Sequence, residues 1–269
     1  MKHQFITLAV AVVAVLLVSC SGEETLSGIS EPREINFSVT EMTLKSRAGV
    51  TTDNLSNFGI SIRNPVSSNY TYNNIKVDKS SADGKWTPAD QMLWHNLTDT
   101  VDVVACAPYS SKVGNLCGVS NYTVEVEADQ TKGIDNSDFL VFKKSAMVPK
   151  TDLKNDGTLG IEFKHAMCLL EICAYNSETT DVKVSGPKLH GVVDFTLDDP
   201  VVTATGNGGK VTCFPQFLNS YSCILIPQDI AAKDFSIELS TATTTYKWVP
   251  NEDIKFESGK TYTIEIPID

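Results

Sequence analysis

The chain has little positive charge and few histidines. Its 269 residues include 22 lysines and arginines against 33 aspartates and glutamates, which gives a formal net charge of −11. Beyond the first residues, no cluster of lysine and arginine occurs, so the basic surface that binds a phosphate backbone is missing from the sequence. We therefore expect no nucleic-acid partner.

Motifs that bind metals or perform catalysis are also missing. The four histidines form no H-x-H or H-x-x-x-H pair, and no two cysteines have C-x-x-C spacing, so no local zinc-ligand set exists. His165 lies between apolar Phe163 and Met167 and is predicted to be a buried side chain rather than a ligand. No G-x-S-x-G elbow is present, and no carboxylate pair stands out. The sequence predicts no cofactor and favours a protein that is not an enzyme.

Helical periodicity is absent after residue 20. No window of eleven or more residues has apolar residues at helical spacing, whereas short alternating runs recur along the chain. The runs are bounded by Gly, Pro, Asn and Asp and include 35–39, 58–62, 101–105, 122–126, 182–184, 235–239 and 262–266. Alternation between turn residues is typical of strands and hairpins, so the sequence predicts an all-β, sandwich-like fold.

One long apolar run stands at the start of the chain. The segment Phe5–Val18 follows Lys2 and is short for a membrane span, which is the layout of a secretory signal peptide over residues 1–19. It ends in Leu17-Val18-Ser19-Cys20, which resembles the bacterial lipobox, where the peptidase cuts before the cysteine and the cysteine is acylated. An uncleaved anchor helix with a chance cysteine is the alternative. The polar residues after Cys20 favour lipidation of Cys20 and an outer-membrane lipoprotein.

The rest of the chain divides into a tether and two halves. Residues 20–33 are polar and lack apolar periodicity, which is typical of a flexible tether. Alternation begins at Glu34, and the polar, turn-rich segment Lys150–Gly157 is the best internal boundary. We expect one β-sandwich domain over 34–157 and a second over 158–269.

Six cysteines follow Cys20, namely Cys106, Cys117, Cys168, Cys173, Cys213 and Cys223. An even number in an exported protein permits a full set of disulfides. The missing C-x-x-C spacing favours mostly free thiols that fill the core. The sequence leaves both states open.

Several short stretches occur in a characteristic order. They are Leu17–Cys20, Glu34–Val39, Ser46–Ala48, Asn57–Ile62, Met92–Trp94, Val101–Tyr109, Asp138–Val141, Phe163–Met167 and Phe256–Ile264. In this order they resemble the fimbrillin-like family, the lipoprotein subunits of type V pili. The resemblance covers essentially the whole chain after the signal peptide and implies two tandem transthyretin-like β-sandwich domains.

The resemblance also implies a mode of assembly. In the family, a protease that cuts after arginine removes the first strand, and a strand from a neighbouring subunit fills the emptied groove. Arg47 matches the cleavage position, because it follows the predicted first strand. An ordinary exposed loop arginine is the alternative interpretation, and Arg33 is a competing cut that would leave the first strand in place. The implied partners are other pilus subunits, joined by donor-strand exchange, and the implied role is adhesion.

The end of the chain bears on the type of subunit. The last predicted strand, Tyr262–Ile266, is followed by three residues. Because stalk subunits of the family donate a C-terminal strand, we expect either that this strand is the donor or that the protein is an accessory, tip or anchor subunit.

Three aromatic residues suggest a second function. Trp86, Trp94 and Tyr109 would line a sugar-binding face in a non-polymerising, glycan-binding surface lipoprotein, whose partner is a host or bacterial surface glycan or protein. Their positions between strands favour burial in the core instead.

The lipid anchor is tested by replacing its attachment site. Cys20→Ala should abolish membrane fractionation, because the acyl chains that bind the bilayer can no longer be attached. Detergent-phase partitioning of the expressed protein measures this, and persistence of the variant in the detergent phase would contradict the lipidation of Cys20.

Overall fold

The all-β prediction is confirmed by the computed structural model of the protein. The structure describes residues 32–41, 54–175, 178–197, 201–204, 208–217 and 219–267. The helical elements among them are short: α1 (Pro149–Asp152) and 3-10 turns at Ser68–Tyr70, Leu116–Gly118, Asp135–Ser137 and Ala232–Asp234. No helix in these ranges is long and apolar enough to cross a membrane.

The strands follow the alternating runs closely. Those up to residue 165 are β1 Arg33–Glu34, β2 Phe37–Glu41, β3 Asn57–Arg63, β4 Tyr72–Lys79, β5 Trp86–Pro88, β6 Leu93–Trp94, β7 Val101–Ala107, β8 Asn121–Val126, β9 Leu140–Met147 and β10 Leu159–His165. The later strands are β11 Cys168–Ala174, β12 Asp181–Ser185, β13 Gly191–Thr196, β14 Val202–Ala204, β15 Lys210–Thr212, β16 Phe214–Pro215, β17 Ser220–Leu225, β18 Gln228–Ile230, β19 Ser236–Ser240, β20 Thr245–Trp248, β21 Ile254–Phe256 and β22 Thr261–Ile266.

The first half is built on one seven-stranded sheet with the order β2-β10-β9-β7-β3-β4-β5. The sheet curls, so that its two edge strands contribute to the same hydrophobic cluster, which we call the first core. This core includes Ile35, Phe37, Phe58, Val77 and Phe163. The curled sheet buries apolar side chains of one face against each other. Each Å² of apolar surface that is removed from water in this way stabilises the fold by about 25 cal/mol.

The second half is a sandwich of two four-stranded sheets, ordered β16-β17-β11-β22 and β15-β12-β19-β20. Side chains from both sheets form the second core, which includes Leu170, Val184, Cys213, Cys223 and Ile237. In β12 the burial alternates strictly, with Val182 and Val184 inside. That alternation is the period-two pattern of a strand with one buried face.

A third cluster, the junction core, joins the two halves. The sheet β14-β13-β8 covers it, and β8 pairs antiparallel with β13 over Asn121–Val126 and Gly191–Thr196. The outer faces of β7, β9, β11 and β17 supply further members, including Val104, Val141 and Leu169. The two halves are therefore packed through shared apolar surface.

The boundary expected after Gly157 does not coincide with a change of sheet. β10, which that division places in the second half, pairs with β9 and β2 in the first sheet. The polar segment before it connects β9 to β10, and a connection within one sheet has the same turn-rich composition as a linker. The chain changes sheets at Ala166–Met167, between β10 and β11. Arg33, the last residue of the expected tether, already belongs to β1.

The prediction for His165 is confirmed. The side chain is buried at the end of β10, and its Nδ1 lies 2.9 and 3.0 Å from the two carboxylate oxygens of buried Asp138. A buried polar pair of this kind is stable only when both groups are hydrogen-bonded. The hydrogen-bonded pair of His165 and Asp138 therefore has a structural role at the point where the chain passes from β10 to β11.

Gln130 joins the junction to the second sandwich. Its side chain is 0% exposed, and its amide donates to Ile224 O at 2.8 Å and accepts from Ile224 N at 2.8 Å. β16 pairs with β17 only as far as Ser222, so the amide takes over the role of the neighbouring strand at Ile224. Gln130 Nε2 also donates to Glu127 O at 3.0 Å.

Gln130→Ala should lower the free energy of unfolding by about 2–4 kcal/mol, because it leaves buried backbone groups of Ile224 unpaired at about 1–3 kcal/mol each. Gln91→Ala is the matched control, since Gln91 is exposed, and should change stability by less than about 0.5 kcal/mol. Chemical denaturation of both variants measures the difference. Equal stabilities would mean that the amide does not hold the halves together.

Candidate functional site

A groove runs between β2 and β5, the two edge strands of the seven-stranded sheet. Its volume is about 910 Å³, and it is lined by 34–39, 84–88, Gln91, Met92, Asp156 and Thr158. The edge strands carry backbone N–H and C=O groups on the side that faces the groove. Such edges are sites where another strand can pair.

β2 is paired with a strand on one side only, whereas the residues just before it pair with β6: Arg33 lies opposite Trp94, and Ile35 N donates to Met92 O at 2.9 Å. β2 pairs parallel with β10, with Phe37–Glu41 in register with Leu159–Phe163. Leu159 N donates to Asn36 O at 2.7 Å and extends this pairing by one residue. Parallel pairs are slightly less stable per residue than antiparallel ones. β2 can therefore leave the sheet without breaking any pair between the other six strands.

Burial of apolar side chains is the main contribution that holds β2 and the residues just before it in place. Ile35 is 3% and Phe37 8% exposed, and Val39 packs partly buried against the same core. The Phe37 ring lies 5.9 Å from that of Phe58, edge to face. Phe58 in turn contacts Phe163 at 5.6 Å, and all of these distances join ring centroids. Removing β2 would uncover the Phe58 ring.

The polar contacts along the groove are at its exposed rim. Lys154 Nζ donates to Ser38 Oγ at 2.8 Å, and Gln91 Nε2 donates to Glu34 Oε1 at 2.9 Å. Asp156 accepts from the hydroxyl and the N–H of Thr158, and these hydrogen bonds lower the pKa of its carboxyl. Exposed contacts of this type contribute little stability, so apolar burial dominates.

The last strand has an equivalent position in the second half. β22 pairs parallel with β11 and lies at the edge of its sheet. A second groove of about 450 Å³ separates it from the edge strand β20, and is lined by Trp248, 250–254, Phe256 and 262–264. The first and last strands thus flank the continuous run β10–β11, each added in parallel at an edge.

Cys20 and Arg47 lie outside the described residues. In the sequence, Arg47 comes after β2, which ends at Glu41, and before β3, which begins at Asn57. The competing residue, Arg33, lies in β1 opposite Trp94. One arginine, Arg33, therefore precedes β2 in the sequence, and the other, Arg47, follows it.

The aromatic residues considered for a sugar-binding face are directed largely to the core. Trp94 is buried, and the ring of half-buried Trp86 lies 5.2 Å from that of Phe58. Tyr109 is half-buried, and its N–H donates to Asn57 Oδ1 at 3.0 Å. For Trp86 and Trp94, packing in the first core is the role that the structure shows.

The described part of the chain places no group of three or more His, Cys, Asp or Glu side chains where they could hold a metal ion. The groove itself offers backbone hydrogen-bonding groups and an apolar floor. Those are the elements of strand recognition, in which the backbone supplies affinity and alternate side chains supply fit.

Sequence reasoning missed which strand the first strand pairs with. β2 and β10 are separated by more than a hundred residues, and alternation indicates the buried face of a strand but not its neighbour. The signal in the sequence for the importance of the first strand was the set of ordered stretches that resembles the fimbrillin-like family.

The geometry defines the class: an all-β protein of two joined sandwiches whose first strand lies at an open sheet edge. The chain belongs to the fimbrillin-like family, whose model matches residues 46–269. No curated protein sequence matches the chain.

Solved structures show the same fold at low identity. A candidate cell adhesion protein from Bacteroides uniformis has a TM-score of 0.59 and 19% identity, covering 87% of this chain and 93% of that one. One from Bacteroides ovatus has a TM-score of 0.59 and 18% identity, covering 87% and 92%. The tip fimbrial protein Mfa3 from Porphyromonas gingivalis, with a C-terminal truncation, has a TM-score of 0.53 and 9% identity, covering 88% and 95%.

Phe37→Ala should lower the free energy of unfolding by about 3 kcal/mol, because it leaves a cavity over Phe58. The neighbouring Asn36→Ala is the control, since Asn36 is exposed, and should stay within about 0.5 kcal/mol of the wild type. Thermal or urea unfolding reports the difference. If both variants unfold alike, β2 is not held by its apolar face.

Proposed function

We propose that the protein is a surface lipoprotein that forms or decorates a bacterial pilus by strand exchange and serves adhesion. The observation that carries this proposal is the placement of β2: a parallel edge strand, paired on one side and bordered by a groove on the other. Membership in the fimbrillin-like family supports a pilus or cell-surface location.

Delivery and maturation would use the two residues singled out from the sequence. Lipid on Cys20 would hold the precursor at the outer membrane. A cut after Arg47 would detach β1 and β2 together with the lipid, since both strands precede Arg47 in the chain. Every strand from β3 onward would stay intact.

The emptied groove would be a strong acceptor. Loss of β2 leaves the backbone edge of β10 unpaired and uncovers Phe58, at a cost of several kcal/mol in exposed apolar surface and lost packing. An alternating strand from a neighbouring subunit would restore both the ladder and the apolar contacts. Exchange is therefore favourable once the first strand is gone.

β22 is a candidate for the donated strand. It has one hydrogen-bonded neighbour, β11, and it alternates, with Ile266 buried and Thr263 and Glu265 exposed. A subunit that keeps β22 in its own sandwich would instead be an accessory, tip or anchor subunit. The fold shared with the tip fimbrial protein Mfa3 is compatible with such a terminal role.

A non-polymerising glycan-binding lipoprotein is the alternative function. It would need an exposed aromatic platform, and the first-core packing of Trp86 and Trp94 removes two of its three candidate residues. A glycan array with the wild-type protein separates the two functions, because a specific hit without oligomers would favour glycan binding.

Treatment of the wild-type precursor with an arginine-specific protease, which spares the nearby Lys45, should clip after Arg47 and yield SDS-resistant ladders on gels. Arg47→Ala should abolish the ladders, because β2 then remains in its groove. Arg33→Ala is the matched control and should leave them unchanged, since a cut at residue 33 does not free β2. N-terminal sequencing of the processed product should begin at Ala48.

Two results would contradict the assembly mechanism. One is a clipped protein that stays monomeric at high concentration. The other is a surface form whose amino terminus is a blocked Cys20 in assembled pili, which would mean that assembly occurs with β2 in place.

A further inference from the structure

Cys213 stands where the chain crosses from one sheet of the second sandwich to the other. β15 ends at Thr212 and pairs with β12, whereas β16 begins at Phe214 and pairs with β17. Cys213 is the single residue between them. Its position makes it a corner of the sandwich.

Strand register sets Cys213 opposite Cys223. Phe214 pairs with Ser222 and Pro215 with Tyr221, so the same register, continued by one residue past the end of the ladder, sets Cys213 opposite Cys223. The N–H of Cys213 donates to Val182 O at 2.9 Å rather than to β17. Gln216 N donates to Ser220 O at 2.7 Å. Because hydrogen-bonded and non-hydrogen-bonded pairs alternate along an antiparallel ladder, the position of Cys213 and Cys223 falls on a non-hydrogen-bonded pair, for which facing Cα atoms of a regular ladder lie about 4.5 Å apart. That separation lies inside the range of about 4.4–6.8 Å that disulfides span.

The two thiols also share their surroundings. Both are buried in the second core, and both are free thiols in the structure. Burial, together with the adjacent Cys213 thiol, raises the pKa of Cys223. The side chains therefore face each other within the core.

The other nearby cysteines are placed differently. Cys168 pairs with Leu225 in the ladder, which puts it diagonal to Cys223, and its Sγ donates to Leu225 O at 3.2 Å. Diagonal neighbours are about 7–8 Å apart, which is too far for a bond without backbone movement. Cys173 follows five residues after Cys168 on β11 and is only half-buried, outside the second core.

We propose that Cys213 and Cys223 form a disulfide in the mature protein. The two thiols lose two protons and two electrons as the S–S bond forms, and the disulfide of an extracytoplasmic thiol–disulfide oxidoreductase is reduced to a dithiol. The proposal rests on the proposed surface location only for this oxidant, because the pairing itself follows from the ladder.

Burial determines when the bond forms. Thiols deep in a core are slow to react because the thiolate is disfavoured there. The bond therefore forms during folding, after β16 pairs with β17 and before the second core closes. Once formed, it links the corner between the two sheets to β17, in the same sandwich that carries β22.

The full chain, refolded in a glutathione redox buffer and alkylated after denaturation, tests the bond. No lysine or arginine lies between Cys213 and Cys223, so trypsin releases both in one peptide, 211–233, with no other cysteine. We expect this peptide without alkyl groups and two hydrogens lighter than its reduced form. Two alkyl groups on it, or a cross-link from Cys223 to Cys168, would overturn the proposal.

Thermal unfolding gives a second, independent readout. A reductant should lower the Tm of the oxidised wild type by about 5–10 °C, as expected for a bond that closes a short loop. The double variant C213A/C223A should show no such dependence, whereas Cys173→Ala should keep it. A reductant effect that persists in the double variant would assign the stabilisation to another pair. Because refolding uses a chemical oxidant, failure of the bond leaves the strand-exchange proposal untouched, and failure of strand exchange leaves the bond untouched.

Discussion

The run β10–β11 is the constraint on which the rest of the structure depends. It passes from the first sheet to the second with two residues between the strands, so both sheets are oriented by one nearly continuous stretch of chain. The first strand adds to it in parallel at one end and the last strand adds in parallel at the other. His165 and Asp138 form a buried pair at the crossing, where an unpaired polar group would be costly.

Parallel addition at both ends has a consequence for function. Strands joined by hairpins are tied to their neighbours by a short loop, whereas β2 and β22 pair with strands far away in sequence or across a long connection. Such strands depend on edge pairing and apolar packing alone. The fold thus combines strands tied to their neighbours by short loops with two terminal strands added in parallel at sheet edges.

The junction core joins the two halves, so they are not independent domains. β8, which lies between β7 and β9 in the sequence, pairs with β13 outside the first sheet, and Gln130 completes the backbone pairing of Ile224 in the second sandwich. Protein interiors are close-packed, so the two halves are joined through this shared apolar surface as well as through the chain itself.

The sequence by itself determined the all-β class, the buried face of most strands, the core position of His165, and the family through ordered stretches. Period-two alternation suffices for these, because it reports which side chains leave water. Only the tertiary structure decided the partners of the strands: the parallel pairing of β2 with β10, the true change of sheet at Ala166–Met167, and the facing of Cys213 and Cys223. Those features come from contacts between residues distant in sequence, on which local alternation carries no information.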